Sequence, residues 1–428
     1  MTLAEQPIVV LFLGLFFLEL VVELFLNEAN LRYVQAHAQN GQLPALFREK
    51  VSPETLLSSV RYTIAKGKFE RWSLVYGGLV KLFVLFGGVL DDVNRSAQTA
   101  GNLFPPSTHA TGIVFCLVVS LLLSLLSLPP DLYYTFVLEE RFGFNKSSLR
   151  LFITDKLKAF LLGFAIGVPF LFVVLSLMQA AGPYWWVYGF VFILAFQLLL
   201  VILYPTLIAP LFNKFTPLED GELRRRIVAL ATQLGFQTSG IFTMDGSRRS
   251  AHSNAYFTGL GKSKRIVFFD TLLKQATIDQ TIAVLAHEIG HYKLKHIRKR
   301  LVLQSAFLLA GLYLISLLLD YAPFFHAFGL EHPSHHGALV LFALVSSPFT
   351  FFLNPLLNHV SRKHEYEADR YAVLELRDGK PMAEALINLS TTNLSNLTPH
   401  PWYSAYHYSH PTVVERIQAI TGLETAAP

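Results

Sequence analysis

The residues of this 428-residue chain with the clearest chemistry are two histidines and a glutamate, His287, Glu288 and His291. Residues four apart lie on one face of an α-helix, so both imidazoles can reach a single metal ion. Glu288 follows the first histidine and is placed to take a proton from a metal-bound water. This is the H-E-x-x-H pattern of zinc hydrolases. It predicts His287 and His291 as zinc ligands and Glu288 as the general base.

A catalytic zinc site also needs a third protein ligand and an open position. The metzincin pattern is excluded, because Leu294 and Ile297 occupy the positions where it has glycine and histidine. His296 is one residue out of register, and we expect it on the helix surface. The better candidate is Glu365, which shares a helix face with Asp369 four residues later. We therefore predict Glu365 as the third ligand of one Zn²⁺ per chain.

Asp369 has a supporting role in this prediction. It is expected to accept a hydrogen bond from the outer nitrogen of a ligating histidine. Glu367 lies between the two acids, points away from their face and is expected to be solvated. The alternative for this segment is a charged helix beside the membrane with incidental acids, and we favour the zinc site because both segments fall on the same membrane side.

Composition places the chain among membrane proteins. Hydrophobic residues make up 52%, charged residues 15%, and the mean hydropathy is +0.42. The single cysteine, Cys116, excludes an intrachain disulfide and a thiolate zinc site, and we expect it to be buried. The net charge is only +5 and the basic residues flank hydrophobic spans, so nucleic-acid binding is not supported.

Seven apolar runs are long enough to cross a hydrocarbon core of about 30 Å. They lie at Pro7–Leu26, Trp72–Leu90, Thr111–Leu128, Leu157–Ala181, Trp185–Leu203, Leu301–Leu319 and Gly337–Val360. Connections after the first, third and fifth spans are rich in lysine and arginine, as is the C-terminal tail, whereas the other connections have almost none beyond Arg95. The positive-inside rule predicts an N-terminus outside and a C-terminus in the cytoplasm.

This topology divides the chain into four parts. Spans one to five, with their loops, occupy residues 1–211. A cytoplasmic metalloprotease region follows at 212–300, and spans six and seven lie at 301–360. Residues 361–428 form a C-terminal cytoplasmic region that completes the zinc site. In the second part, Glu219–Leu234 predicts an amphipathic helix and Arg265–Asp270 a strand. Thr277–Arg300 predicts a helix that begins with a capping box and runs into span six without a break.

Other segments of the sequence are as distinctive of a known family as His287–His291, and they follow one another in the order found in that family. They are Tyr62–Glu70, Phe136–Lys146, Tyr204–Lys214, Ser253–Tyr256, Ser361-Arg362, Tyr408–Pro411 and Glu415-Arg416. Together with Glu365 and Asp369, they resemble the type I integral-membrane zinc CAAX prenyl endopeptidases, the a-factor-converting and prelamin-processing enzymes.

The resemblance implies an all-α integral membrane protein whose seven transmembrane helices form an α-barrel around a large water-filled chamber. A gluzincin-like zinc metalloprotease region faces inward at the cytoplasmic end. His410 would stabilise the oxyanion, and Asn254, with Ala255 and Tyr256, would bind the substrate backbone. The implied substrates are C-terminally prenylated peptides, cut after the modified cysteine.

Two departures from the eukaryotic members bear on location and substrate. The chain is somewhat shorter, and its end, Thr425–Pro428, is not an ER-retention signal. We therefore expect a prokaryotic inner membrane rather than the ER membrane, in which case the natural substrates need not be CAAX proteins.

Two other functions compete with this interpretation. A site-two-type or quality-control membrane protease with non-prenylated substrates is one, although a site-two motif would lie inside a span and this one is followed at once by basic residues. A transporter or receptor with a structural metal is the other, but structural zinc sites close all four positions. The sequence does not specify an oligomeric state.

Overall fold

The computed structural model describes residues 3, 5–40, 47, 50–101, 108–259 and 264–425, and it is mostly helical. Its membrane part begins with six helices: α1 (Gln6–Gln39), α2 (Pro53–Phe86), α3 (Val89–Gly101), α4 (Thr108–Tyr133), α5 (Leu149–Ala180) and α6 (Trp185–Leu203). A π-helical turn follows α4 at Tyr134–Glu139 and another follows α6 at Tyr204–Ile208, before a short 3₁₀ turn at Ala209–Leu211.

Five helices in the described part of the chain are long and apolar enough to cross a membrane. A sixth span results if α2 and α3 count as one, since they meet at 57° across Gly87 and Gly88, of which Gly88 has a φ of +78°. Cys116 is buried in the apolar core of this part, as predicted.

The predicted seventh span, 337–360, does not form one helix. It falls into α12 (His335–Val345), α13 (Ser347–Phe351) and the beginning of α14 (Asn354–Leu376). Pro348 and Pro355 each lie in the first turn of a new helix, because proline cannot donate the backbone hydrogen bond that would continue the previous one. Seven crossings around a central chamber stay predictions.

Residues 212–300 contain one four-stranded sheet among those that the structure describes. The strands are β1 (Phe215–Pro217), β2 (Gly240–Met244), β3 (Ala255–Thr258) and β4 (Arg265–Phe269), in the order β1-β2-β4-β3. β2 and β4 are parallel, and β3 is an antiparallel edge strand. The sheet packs on α7 (Glu222–Gln233) and α9 (Ile278–Lys293) through a core that includes Ile227, Ile266, Phe268, Leu285 and Ile289, and α8 (Asp270–Gln275) joins β4 to α9.

The predicted amphipathic helix, strand and capping box are confirmed, but the uninterrupted helix into span six is wrong. α9 ends at Lys293, and α10 (His296–Leu318) begins after Lys295, which adopts a left-handed conformation with a φ of 61°. The chain then continues through α11 (Ala322–Ala327), the three helices of the broken span, α15 (Lys380–Thr392), α16 (Pro401–His407) and α17 (Val413–Thr425).

Candidate active site

Helix α9 presents its two histidines to one point. Its first turn is fixed by a reciprocal cap, in which Thr277 Oγ1 accepts from Gln280 N at 3.2 Å and Gln280 Oε1 accepts from Thr277 N at 3.3 Å. His287 and His291 lie one turn apart on the inner face, and their Nε2 atoms are 3.1 Å from each other. The predicted pairing of the two imidazoles is therefore present in the fold.

Helix α14 supplies Glu365 to the same point. Its Oε2 lies 3.4 Å from His287 Nε2, and its Oε1 lies 3.2 Å from His291 Nε2. The two helices approach closely at Gly290, where a Cβ would come within 3.3 Å of Ala368 Cα. Glycine at this position lets the helix backbones meet, so that a carboxylate of α14 reaches both imidazoles of α9.

The residues present fit a bound zinc ion. Asp369 Oδ1 accepts from His287 Nδ1 at 2.8 Å, which leaves the His287 Nε2 lone pair facing that of His291. Glu365 Oε2 is buried and has no hydrogen-bond partner among the described residues. One ligand atom from each of His287, His291 and Glu365 lies within 4.8 Å of the other two. Two imidazoles with one carboxylate are a donor set that zinc prefers.

Arg416 is a site residue whose role sequence reasoning missed. Its Nη2 donates to Asp369 Oδ1 at 2.6 Å and its Nε to Asp369 Oδ2 at 2.8 Å, and its Nη1 lies 3.6 Å from Glu365 Oε2. Arg416 is 8% exposed and Asp369 1%. The guanidinium comes from α17, 47 residues beyond Asp369, and no periodicity links the two positions. It compensates the charge of a carboxylate that must be buried to reach His287.

Burial and hydrogen bonding shift the pKa values of these groups in different directions. Burial lowers the pKa of His287, but its hydrogen bond to Asp369 and the nearby carboxylate of Glu365 outweigh burial and raise that pKa to about 9. Burial raises the pKa of Glu365, but the two imidazoles beside it hold that pKa far below its usual range. The pKa of Glu288 is raised, because burial disfavours its charged form.

Glu288 and His410 line one cavity beside this cluster. The cavity has a volume of about 610 Å³, and Phe257, His291 and Glu365 also line it. His410 Nε2 lies 3.3 Å from Glu365 Oε1, although 62% of the His410 side chain is exposed. Partial desolvation lowers the pKa of His410, an effect that the charge of Glu365 opposes. The structure thus brings Glu288 and His410, two of the three residues predicted to be catalytic, to a cavity that His291 and Glu365 also line; the third is Asn254.

The predicted substrate-binding residues lie on the edge of the sheet. Asn254 is exposed directly before β3, and its side-chain oxygen accepts from Ala255 N at 2.8 Å. Tyr256 donates its hydroxyl to Met244 Sδ at 3.8 Å. The cavity lining includes Phe257 of the same strand and not Asn254. The structure therefore brings the strand to the cavity and leaves Asn254 outside its lining.

A buried network anchors the beginning of this strand to the membrane part. Tyr62 donates to Glu139 Oε1 at 2.6 Å, and Glu139 Oε2 lies 3.1 Å from His252 Nε2. Asn393 Oδ1 accepts from Ser253 N at 3.0 Å and lies 3.3 Å from His252 Nδ1. Because these contacts join α2, the turn after α4 and the residue after α15 at one place, they fix the segment that leads into Asn254.

His296 and Glu367 differ from their predicted positions. His296 is 4% exposed, and its Nδ1 lies 3.0 Å from His291 Nδ1, so its assignment to the helix surface is wrong. Glu367 accepts from His296 Nε2 at 2.9 Å and is only partly exposed, so it is not simply solvated. The cause is the left-handed residue Lys295, which separates α9 from α10 and turns the next residue back toward His291.

Comparisons with known proteins agree with this architecture. Residues 32–214 match the family model of the CAAX prenyl protease N-terminal region with five membrane helices, and residues 217–424 match that of peptidase family M48. CAAX prenyl protease 1 of Saccharomyces cerevisiae is 37% identical over 401 residues, covering 89% of this chain and 88% of that protein. The human CAAX prenyl protease 1 homologue is 33% identical over 420 residues, with 88% of each chain covered.

A solved structure extends the similarity to the fold. The crystal structure of S. mikatae Ste24p matches with a TM-score of 0.89 at 34% identity, covering 98% of this chain and 99% of that one. These relatives are eukaryotic, and the predicted prokaryotic location stays a prediction. The chain therefore belongs to the CAAX prenyl proteases of peptidase family M48, and it is a membrane metalloprotease.

Proposed function

We propose that this protein is a zinc endopeptidase that hydrolyses C-terminally prenylated peptides close to their modified cysteine. The observation that carries the proposal is the convergence of His287, His291 and Glu365 within 4.8 Å of one another, beside a cavity that Glu288 lines. The names of the relatives, CAAX prenyl proteases, support the substrate class.

The three converging side chains would hold the metal beside the cavity. Zinc bound there supplies Lewis acidity to the scissile carbonyl and acidifies the attacking water. Asp369 keeps His287 in the tautomer whose Nε2 can bind a metal, through its contact of 2.8 Å with Nδ1. Arg416 keeps Asp369 in place and offsets its charge.

Glu288 is the proposed general base. Burial moves the pKa of this carboxyl group toward neutral pH. A group with such a pKa can both accept a proton from water and return it to the leaving amine. Glu288 lines the same cavity as His291 and Glu365, so a peptide bound there would lie beside both the base and the proposed metal. Removal of the carboxylate charge should therefore stop hydrolysis without removing a zinc ligand.

His410 and strand β3 are proposed to bind the substrate. Desolvation lowers the pKa of His410 and so favours its neutral imidazole, which has one N–H to donate to the developing oxyanion. β3 is an edge strand, and an extended peptide can add to such an edge through main-chain hydrogen bonds. In this arrangement Asn254, Ala255 and Tyr256 would contact the peptide backbone beside the cavity.

We also infer seven crossings around a water-filled chamber, with the N-terminus outside and the C-terminus in the cytoplasm. Polar groups on the membrane helices support a wet interior: Glu23 Oε2 of α1 lies 3.4 Å from His407 Nε2 of α16, and Lys81 of α2 donates to Ser347 Oγ of α13. In a Cys116→Ser background, cysteines placed at Arg95 and at Asp378 should react with a membrane-impermeant thiol reagent from opposite sides.

Cleavage of a farnesylated CAAX peptide by the purified, zinc-loaded protein tests the enzymatic proposal. We expect hydrolysis that a chelator abolishes and zinc restores. Glu288→Gln should lower kcat by about 10²- to 10⁴-fold, while the zinc content stays at one per chain. Glu219→Gln, a matched change at an exposed glutamate, should leave both unchanged. Full activity of Glu288→Gln would refute the assigned base.

The same peptide without its prenyl group separates the two protease alternatives. A CAAX-type enzyme should cleave the farnesylated form with the higher kcat/KM, because the chain adds binding energy that the free cysteine lacks. Equal cleavage of both forms, or cleavage of unrelated membrane-protein segments instead, would favour a quality-control protease.

A further inference from the structure

A buried chain of polar groups extends from His291 away from the proposed zinc ion. His291 Nδ1 lies 3.0 Å from His296 Nδ1, and His296 Nε2 lies 2.9 Å from Glu367 Oε2. His296 is 4% exposed, whereas Glu367 lies at the edge of solvent with 35% of its side chain exposed. We call His296 and Glu367 the outer pair.

The proton positions in this chain of groups are set by the chemistry of its outer end. An ionised carboxylate only accepts hydrogen bonds, so His296 donates its Nε2–H to Glu367. The neutral imidazole of His296 then offers Nδ1 as an acceptor. His291 must fill that acceptor with its own Nδ1–H, and its Nε2 keeps a lone pair. This is the tautomer that a metal on the Nε2 side requires.

The backbone is arranged to bring His296 to this place. In an uninterrupted helix, a residue five positions after His291 would point about 140° away from it. Lys295, with a φ of 61°, interrupts the helix and redirects the chain immediately before His296. The left-handed conformation is unfavourable for a residue with a Cβ. The fold accepts this strained residue at the position that returns an imidazole to His291.

We propose that His296 and Glu367 are positioning residues that fix the tautomer of His291 and strengthen its bond to zinc. They would do for His291 what Asp369 and Arg416 do for His287. The inference rests on the proposed zinc site and deepens it, since it assigns an outer partner to the second histidine ligand. Such partners commonly change metal affinity by about 10- to 100-fold when they are removed.

A second metal site is the competing interpretation of the same residues. Ligand atoms of His296, His364 and Glu367 lie within 4.8 Å of one another. However, the rings of His296 and His364 stack at 4.1 Å with only 14° between their planes. A metal lies near the plane of each imidazole that binds it, and two nearly parallel planes do not share such a point. Both nitrogens of His296 are also already in hydrogen bonds.

Zinc stoichiometry and zinc affinity, measured by competition with a chelator, test the proposal on the full-length protein. His296→Phe, which keeps the ring and removes both nitrogens, should raise the zinc Kd by about 10- to 100-fold. Glu367→Gln should raise it by a smaller but measurable factor, because the amide accepts the same bond without the charge. His364→Phe, which keeps the stacking, should leave the Kd within about twofold. The visible spectrum of the cobalt-substituted protein should change for the first two variants only.

The outcomes separate this inference from the function on which it rests. A wild-type protein that binds no zinc would refute the zinc endopeptidase itself. A wild-type protein with one zinc, together with an unchanged Kd and cobalt spectrum in both outer-pair variants, would overturn only the positioning role. Loss of a second zinc equivalent in His364→Phe would assign a metal site instead. If His296→Phe does not fold, the partly exposed Glu367 still decides the test.

Discussion

Replacement of Arg416 by methionine isolates the charge that supports the His287 side of the site. Arg416 and Asp369 are both buried, and two hydrogen bonds of 2.6 and 2.8 Å join them. At about 4 Å and an effective dielectric constant of about 20, their attraction is about 4 kcal/mol. Removal of one partner of a buried pair typically costs about 3–5 kcal/mol. We expect Arg416→Met to destabilise the metal-free protein by about that amount, because Asp369 remains buried and charged.

A double variant separates the unpaired charge from the loss of the arginine side chain itself. Replacement of both members of a buried ion pair by apolar residues changes stability much less than removal of one. Arg416→Met with Asp369→Leu should therefore recover most of the stability that Arg416→Met loses. Zinc affinity should show the opposite order. Arg416→Met keeps the carboxylate that accepts from His287 Nδ1, whereas Asp369→Leu, alone or together with Arg416→Met, should weaken zinc binding about 10- to 100-fold.

The assay pairs thermal unfolding of the detergent-purified protein in chelator with zinc competition at room temperature. The unfolding midpoint should be lowest for Arg416→Met and higher for the double variant, while zinc should bind most weakly to the variants that lack Asp369. If the double variant unfolds at the temperature of Arg416→Met, the charges of Arg416 and Asp369 are not coupled. If Arg416→Met loses zinc as fully as Asp369→Leu, the separation of stability from metal binding is refuted.

Three further predictions concern the two helices and the ligand protons. Gly290→Ala should cost about 1–3 kcal/mol and weaken zinc binding, because its Cβ would lie 3.3 Å from Ala368 Cα and push the ligand-bearing helices apart; an unchanged unfolding midpoint would contradict this. Lys295→Gly should raise stability by about 1 kcal/mol by relieving its left-handed conformation, whereas Lys299→Gly, inside α10, should lower it by about as much in the same unfolding assay. Burial lowers the pKa of His287 but its carboxylate partners raise it to about 9, so zinc must displace a proton below that pH. The apparent zinc Kd should fall about tenfold per pH unit as the pH rises from about 7 and level off above about pH 9, and a pH-independent Kd would refute the displaced proton.

The residues that converge on the proposed metal could be predicted because each pair lies on one helix. His287 and His291, and likewise Glu365 and Asp369, are four residues apart, so helical periodicity alone places each pair on one face. The meeting of His291 with Glu365, far apart in the sequence, needed one more inference, that both helices lie on the same side of the membrane. The structure brings the four side chains together within hydrogen-bonding or coordinating distance.

Other parts of the site and fold are not recorded by residue spacing or by a hydropathy sum. Arg416 reaches Asp369 through the packing of α17 on α14, a relation that no spacing in the sequence encodes. Hydropathy predicts 337–360 as one span because its residues are apolar, but the helix breaks at its prolines and the hydropathy sum does not record them. The same sum cannot separate a bent span from two helices, as at Gly87 and Gly88.

The position of His296 shows why arguments from helical register fail where a helix breaks without a glycine or proline to mark the break. The five-residue offset from His291 predicts different faces only while the helix is continuous, and neither glycine nor proline marks the break at Lys295. The contacts of the next residue hold the break in place, since His296 is buried against His291 and bonded to Glu367 of α14. Two elements therefore over-determine one strained residue, which is the condition under which such strain persists.

Helix α14 contributes three side chains to the proposed site. Glu365 would bind the metal, Asp369 lies behind His287, and Glu367 ends the polar chain that starts at His291. A shift of α14 would then disturb all three contacts together, so zinc affinity should fall when the packing of this helix is disturbed, even with every ligand present.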